Sequence, residues 1–287
     1  MTEPTPTAAD HSLDATALIH GQRLEIRPGR QISLAFLPPR SPQHRVVFFV
    51  HGGGGNKDQW RYQWQALAAQ GHGLVAWDLL GHGDSDKPRT PAAYAWDELV
   101  ADLLAVFARF GGTGNTLVAH SYGTALGLDA LVRLAAAGRL ETFRNVLLLG
   151  TQLQSTARTG GLLRLPVWAL ELLRPLLARG FRERAWHPHA APALVAYEEA
   201  LTRNNPLYVF KALLTQARWI PQAQLGVLSL PIHILAGDSD GLTPQAGAAA
   251  LAQALPDGVL EVLPECGHQL MLERPALVNR ALARLLA

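Results

Sequence analysis

The chain has 287 residues, 48% of them hydrophobic and 17% charged, which is enough apolar material for one large α/β domain and excludes intrinsic disorder. A formal net charge of +2 gives no electrostatic case for nucleic acid as a partner. The single cysteine, Cys266, excludes an internal disulfide framework, and no Cys/His cluster has zinc-ligand spacing.

Residues 1–12, rich in Pro, Thr and Ala, read as a loose tail without the basic and apolar regions of a secretory signal. No apolar run approaches the roughly 18 residues of a membrane span, so a soluble, cytoplasmic protein is expected. Alternating polarity in Gln22–Arg27 and Gln31–Leu37, with Pro28-Gly29 between them, predicts an antiparallel hairpin. Arg45–Val50 is a continuous apolar run, the pattern of a strand buried on both faces, and it ends in His51-Gly52-Gly53-Gly54-Gly55. A helix over Asp58–Gln70, a strand at Gly73–Asp78 and a helix over Trp96–Phe110 follow. Next come strands at Asn115–Ala119 and Phe143–Gly150, flanking an apolar-periodic helix that opens near Thr124. This alternation means a parallel sheet with right-handed crossovers. It breaks over 152–227, where no convincing strand is found, and resumes with strands at Pro231–Gly237 and Val259–Leu263 and helices near Pro244–Leu255 and from Pro275. The expected organisation is therefore a core of 13–151 and 228–287, with a helical cap of 152–227 inserted after the sixth strand. Such a cap lies over the C-terminal edge of the sheet, where α/β proteins bind ligands.

Ala119-His120-Ser121-Tyr122-Gly123 joins a strand to a helix with small residues at both ends. A turn that sharp projects Ser121 Oγ and points the Tyr122 N–H at an oxygen bound before it. The bland alternative is an N-capping serine. A base is available in His268, after the last strand. Asp238 and Asp240 compete as the orienting acid, and Asp240 is favoured because it stands further out on its loop. The order Ser, Asp, His is the one this arrangement requires. Gly53 is the candidate second oxyanion donor, with Gly54 next. Asp78, His82 and His51 are read as structural, Gly111–Gly114 as a turn, and Cys266 as a buried hydrophobe.

Together, His51-Gly-Gly-Gly-Gly, Asp78-Leu-Leu-Gly-His-Gly-Asp-Ser-Asp, His120-Ser-Tyr-Gly-Thr, Gly237-Asp-Ser-Asp-Gly-Leu-Thr-Pro and Cys266-Gly-His-Gln-Leu-Met-Leu-Glu-Arg-Pro match, in order, the motifs of the α/β-hydrolase superfamily. Residues 15–287 resemble its capped, single-domain branch, particularly abhydrolase-domain proteins whose elbow reads His-Ser-Tyr-Gly. The resemblance implies an α/β fold with a mostly parallel, doubly wound sheet and a helical cap inserted late. It also implies Ser121 as nucleophile, His268 as base, Asp240 as acid, Gly53 and Tyr122 as oxyanion donors, and no metal or other cofactor. Ala119 departs from the usual elbow glycine, but it is small enough for the turn.

These residues point to a carboxylesterase or lipase-like serine hydrolase acting on apolar esters. Two alternatives remain: carbon–carbon hydrolysis or cofactor-free perhydrolysis by the same triad, and a non-catalytic binding member of the fold. Epoxide hydrolases and haloalkane dehalogenases are disfavoured, because they carry a carboxylate where Ser121 stands. In the cap, Arg158, Arg164, Arg174, Arg179, Arg182 and Arg184 face only Glu171 and Glu183 along that stretch. The favoured reading is an apolar cap with solvated arginines, its Trp168, Trp219 and Phe210 suggesting an apolar pocket. The alternative is weak contact between the cap and an anionic lipid surface.

Overall fold

The computed structural model describes residues 17–154 and 161–287. The tail expected at 1–12 and Arg158 lie outside the described residues. Gln22–Arg27 (β1) and Arg30–Leu37 (β2) form the hairpin, turning at Gly29, whose φ of 72° suits a residue without Cβ. The remaining strands are β3 (Val46–Val50), β4 (Gly73–Trp77), β5 (Asn115–His120), β6 (Phe143–Leu149), β7 (Ile232–Gly237) and β8 (Gly258–Leu263). They make one eight-stranded sheet in the order β1-β2-β4-β3-β5-β6-β7-β8. The β1–β2 and β2–β4 pairs are antiparallel, and every other pair is parallel.

The helices are α1 (Arg61–Gln70), α2 (Trp96–Phe110), α3 (Tyr122–Ala136), α4 (Val167–Leu172), α5 (Arg174–Ala185), α6 (Pro192–Thr202), α7 (Leu207–Gln216), α8 (Gln222–Leu225), α9 (Gln245–Ala254), α10 (Leu270–Glu273) and α11 (Pro275–Leu286). Successive strand residues point to opposite faces, so β3 feeds two cores at once. Phe48 and Val50 pack with Leu103 and Phe107 of α2 and Leu126 and Leu131 of α3. Val47 and Phe49 pack with Leu67 of α1 and Val278 and Leu282 of α11. A strand covered on both sides has no polar face, which is why β3 reads as an unbroken apolar run.

Helix boundaries differ from the sequence pattern where local chemistry intervenes. Lys57–Trp60 forms a 3-10 turn before α1, with Asn56 Oδ1 accepting the Asp58 N–H at 2.9 Å. The unforeseen α10 stops at Glu273 because Pro275 holds Arg274 out of the helical region, at φ −130° and ψ 54°. Between β6 and β7 the described chain is helical or irregular, with α4 to α8 forming the inserted block. Val209, Ala212 and Leu213 of α7 join the sheet's core. Trp168 and Phe210, in contrast, are exposed and do not face an interior pocket.

Candidate active site

β3, β5, β6, β7 and β8 all end at the same edge of the sheet, so the loops that follow them meet there. Ser121 follows β5 with φ 51° and ψ −123°, a region L-residues rarely adopt. The surroundings hold it there. Its N–H donates to Leu149 O, and its carbonyl accepts the Thr124 N–H, both at 2.9 Å. At Gly123 a Cβ would lie 2.5 Å from His51 O, so the turn admits no side chain at that position. Ala119 is fully buried, and even a Cβ on Gly127 would stand 3.8 Å from its methyl, an ordinary contact, so the extra methyl is not crowded there. Tyr122 opens α3, where N–H groups lack intrahelical partners and the helix dipole favours negative charge.

The glycine loop after β3 lies directly against this elbow. A Cβ on Gly52 would approach Ser121 Cβ to 2.9 Å, and one on Gly53 would sit 3.5 Å from Tyr122 Cβ. Gly53 is therefore beside Tyr122. The Gly54 N–H already donates to His82 Nε2 at 3.0 Å, which removes Gly54 as the alternative donor. His51 Nε2 accepts the Leu79 N–H at 2.9 Å. The Asp78 carboxylate accepts the N–H groups of Lys57 and Asp84 at 2.8 and 2.9 Å. His51, Asp78 and His82 thus serve as scaffolding for these loops.

The two candidate acids separate cleanly. Asp238 accepts the N–H groups of Glu265 and Cys266 at 2.8 and 3.0 Å, tying the β7 loop to the β8 loop. Asp240 Oδ2 accepts from His268 Nδ1 at 2.7 Å and from Thr243 Oγ1 at 2.6 Å. Its Oδ1 accepts the N–H groups of Leu242 and Thr243, both at 2.8 Å. Burial alone would push the Asp240 carboxyl up, but the neighbouring His268 and the Thr243 hydrogen bonds outweigh it and hold it below the ordinary value.

His268 is buried, its ring 4.6 Å from that of His120, the residue next to Ser121. Burial, reinforced by His268, drives the His120 imidazole well below its ordinary pKa, so it is neutral. Its Nδ1 faces Gln59 Nε2 at 3.3 Å, and an amide nitrogen can only donate. The proton therefore sits on His120 Nε2, which donates to the His268 carbonyl at 2.9 Å. Gly150, at φ 57°, leaves the space that the His268 ring occupies. A Cβ there would sit 3.0 Å from both Cε1 and Nδ1 of His268. Gly150→Ala should lower kcat by about 10²-fold through displacement of His268. It should also cost about 1–2 kcal/mol of stability from the positive φ. Steady-state kinetics and urea unfolding of the variant read the two effects separately.

The cap clasps both loops. Gly241 donates its N–H to Arg184 O at 2.9 Å, and the Arg184 guanidinium returns two bonds to Gly241 O at 3.0 and 2.7 Å. The His268 N–H donates to Ala185 O at 2.8 Å. Glu273 accepts the N–H groups of His187, Gly267 and Gln269 at 2.9, 3.2 and 3.2 Å. Asn205 Nδ2 donates to Gly54 O at 2.6 Å. The cap arginines are thus partnered where bare solvation was expected: Arg174 with Glu171, Arg182 with Glu199, and Arg184 with a carbonyl. Sequence reasoning missed Thr243, Glu273, Gln59 and Asn205, and read Arg184 only as a solvated charge. Only Thr243 had a local signal, standing three residues after Asp240 in a turn whose aspartate caps backbone N–H groups.

Two surface clefts of about 330 and 230 Å³ open elsewhere, lined by residues including Leu37 and His72, and Asn115 and Arg133. None of Ser121, Asp240 and His268 lines either one.

Comparison with known proteins agrees with this geometry at the level of fold and family. Protein ABHD8 of Mus musculus is 28% identical over 243 residues, covering 83% of this chain and 54% of that protein. The chain thus spans about half the length of the curated relatives it matches first. Epoxide hydrolase B of Mycobacterium tuberculosis is 36% identical over 100 residues, 35% of this chain and 28% of that one. An esterase from Exiguobacterium antarcticum superposes with a TM-score of 0.78 at 20% identity, over 93% of this chain and 99% of the other, a likeness of fold. The family described as "Alpha/beta hydrolase family" matches residues 47–281, from the buried strand before the glycine loop to the last helix, and the chain belongs to it.

Proposed function

We propose that this protein is a serine hydrolase that cleaves carboxylic esters of apolar substrates through an acyl-serine intermediate. The observation that carries this reading is the 2.7 Å bond between Asp240 and His268, whose ring stands 4.6 Å from that of His120, the residue preceding a serine held at φ 51°. Asp240 keeps the proton of His268 on Nδ1, leaving Nε2 free to take the proton of Ser121 Oγ as it attacks the carbonyl. The carbonyl oxygen becomes an oxyanion between the N–H groups of Gly53 and Tyr122. His268 then protonates the leaving alcohol, and water, activated by the same imidazole, clears the acyl group. Half-buried Tyr122, Leu153 and Trp219 pack around the core at the elbow and cap, which favours an apolar acyl or alcohol group.

The epoxide hydrolase resemblance does not carry its chemistry here. That reaction needs a carboxylate at the elbow to form an alkyl ester, and Ser121 stands there. Fluorophosphonate labelling of the native protein, run beside p-nitrophenyl esters of graded length, tests the proposal. Labelling at Ser121 with ester turnover supports it. Labelling without turnover would move the assignment to carbon–carbon hydrolysis or perhydrolysis, and no labelling with ligand binding intact would make the protein a non-catalytic binder.

A further inference from the structure

The α4–α5 unit is apolar on both of its sides. Leu173 bridges the two helices in the helical region, and the N–H groups of Leu173 and Leu177 bond to Ala169 O and Leu173 O at 3.1 and 3.0 Å. The helical spacing therefore carries across the joint, although Pro175 has no N–H to contribute. Leu170 is buried and Leu173 and Leu177 are half-buried, marking the inner side. On the outer side Trp168, Leu172 and Leu176, spaced by four, are 68, 75 and 66% exposed. Arg164, four residues before Trp168, and Arg179, three after Leu176, are exposed at the two ends of this stripe. Arg179 pairs with Glu183, but both are solvent-exposed, and such a pair yields readily to a stronger anion.

A helix with apolar residues on both sides has one side without a partner in water. The charges at the ends of the stripe select what covers it: of the five arginines over 164–184, Arg174, Arg179 and Arg182 pair with Glu171, Glu183 and Glu199, and Arg164 and Arg184 leave the stretch with an excess of positive charge. We infer that Trp168, Leu172 and Leu176 dock the protein on an anionic lipid surface, with Arg164 and Arg179 meeting the headgroups. Among the described residues no helix is long and apolar enough to cross a membrane, so the contact is peripheral.

The stripe is also tied to the candidate site. Arg174, at the head of α5, donates to the carbonyls of Arg203 and Asn205 at 3.3 Å each, and the Asn205 amide holds Gly54 O beside the elbow. Docking therefore loads a helix that hydrogen bonds connect, through Asn205, to the glycine loop beside the elbow. Resting on the ester-hydrolase reading, a protein held at a lipid surface meets esters borne by lipid, and these are the substrate class.

The test is co-sedimentation with phosphatidylcholine vesicles prepared with and without phosphatidylglycerol, at low and high salt. Wild type and Ser121→Ala should both bind the phosphatidylglycerol vesicles, and salt should release them. Brominated acyl chains should quench tryptophan emission, and Trp168→Phe should lose that quenching. Leu172→Glu/Leu176→Glu should weaken binding at least tenfold while leaving hydrolysis of a soluble short-chain ester unchanged. Arg164→Gln/Arg179→Gln should lose only the preference for anionic vesicles. Failure of wild type to bind them overturns the inference. So does a dimer in sedimentation velocity that Leu172→Glu/Leu176→Glu disperses, since a second copy would then cover the stripe. Vesicle binding by Ser121→Ala judges the docking alone, and the soluble ester judges the hydrolase reading alone.

Discussion

Ser121→Ala is expected to lower ester turnover by about 10⁵–10⁶-fold while leaving the protein folded. The expected loss is large because in the proposed mechanism His268 and Asp240 act only through the serine oxygen. What would survive is the residual polarisation of a carbonyl by the proposed oxyanion donors, Gly53 and Tyr122. The fold should tolerate the change, since the N–H of residue 121 to Leu149 O and the Thr124 N–H to the residue 121 carbonyl involve backbone only. A sharper result comes from Ser121→Gly. An L-residue at φ 51° and ψ −123° is strained, and glycine relieves that strain, so the glycine variant should be more stable than the alanine variant by about 1 kcal/mol. Both should be equally inactive. Denaturant unfolding of the pair measures the difference. Equal stability would mean that the elbow is not strained, and turnover retained by either variant would remove Ser121 as nucleophile.

What was legible in the sequence follows from how local each signal is. The β3 run and the alternation of β1 report burial on two faces and on one, a property each residue carries by itself, whereas in β2 Ser33 and Ala35 are buried along with Ile32 and Leu34, so alternation there understates its burial. The elbow was legible because its glycine is forced by a close approach: Gly123 lies against His51 O, and no other residue fits. The choice of Asp240 over Asp238 followed from loop position, and the structure puts Asp240 on His268 and Asp238 on backbone N–H groups. The cap was visible only as an absence of strands. Its contacts are between residues far apart in the chain, such as Arg184 with Gly241, 57 positions away, or Asn205 with Gly54, 151 away. Nothing in an arginine or an asparagine announces a carbonyl partner at that distance. Composition likewise counted Trp168 and Phe210 as interior, because hydrophobic residues usually are, whereas both point outward.

Asp240→Asn should cost about 10⁴-fold in kcat and, separately, should change how stability depends on pH. For the rate, an asparagine amide facing His268 Nδ1 can donate, which moves the imidazole proton to Nε2 and leaves no lone pair for the serine proton. The stability effect has a definite sign. The folded carboxyl titrates below its ordinary value because His268 and the Thr243 bonds overcome the opposing effect of burial. Between the folded pKa and the unfolded one, about 3.9, the unfolded chain takes up a proton that the folded chain refuses. The carboxylate's contribution is therefore complete above about pH 4 and disappears as pH falls through the lower folded value. Wild type should be more stable than Asp240→Asn at pH 7, and the gap should close on acidification. Urea unfolding of both proteins at neutral pH and near pH 3 decides it. A gap that stays constant would mean that Asp240 contributes by shape and not by charge, whereas one that widens would mean that burial, not His268, governs the carboxyl.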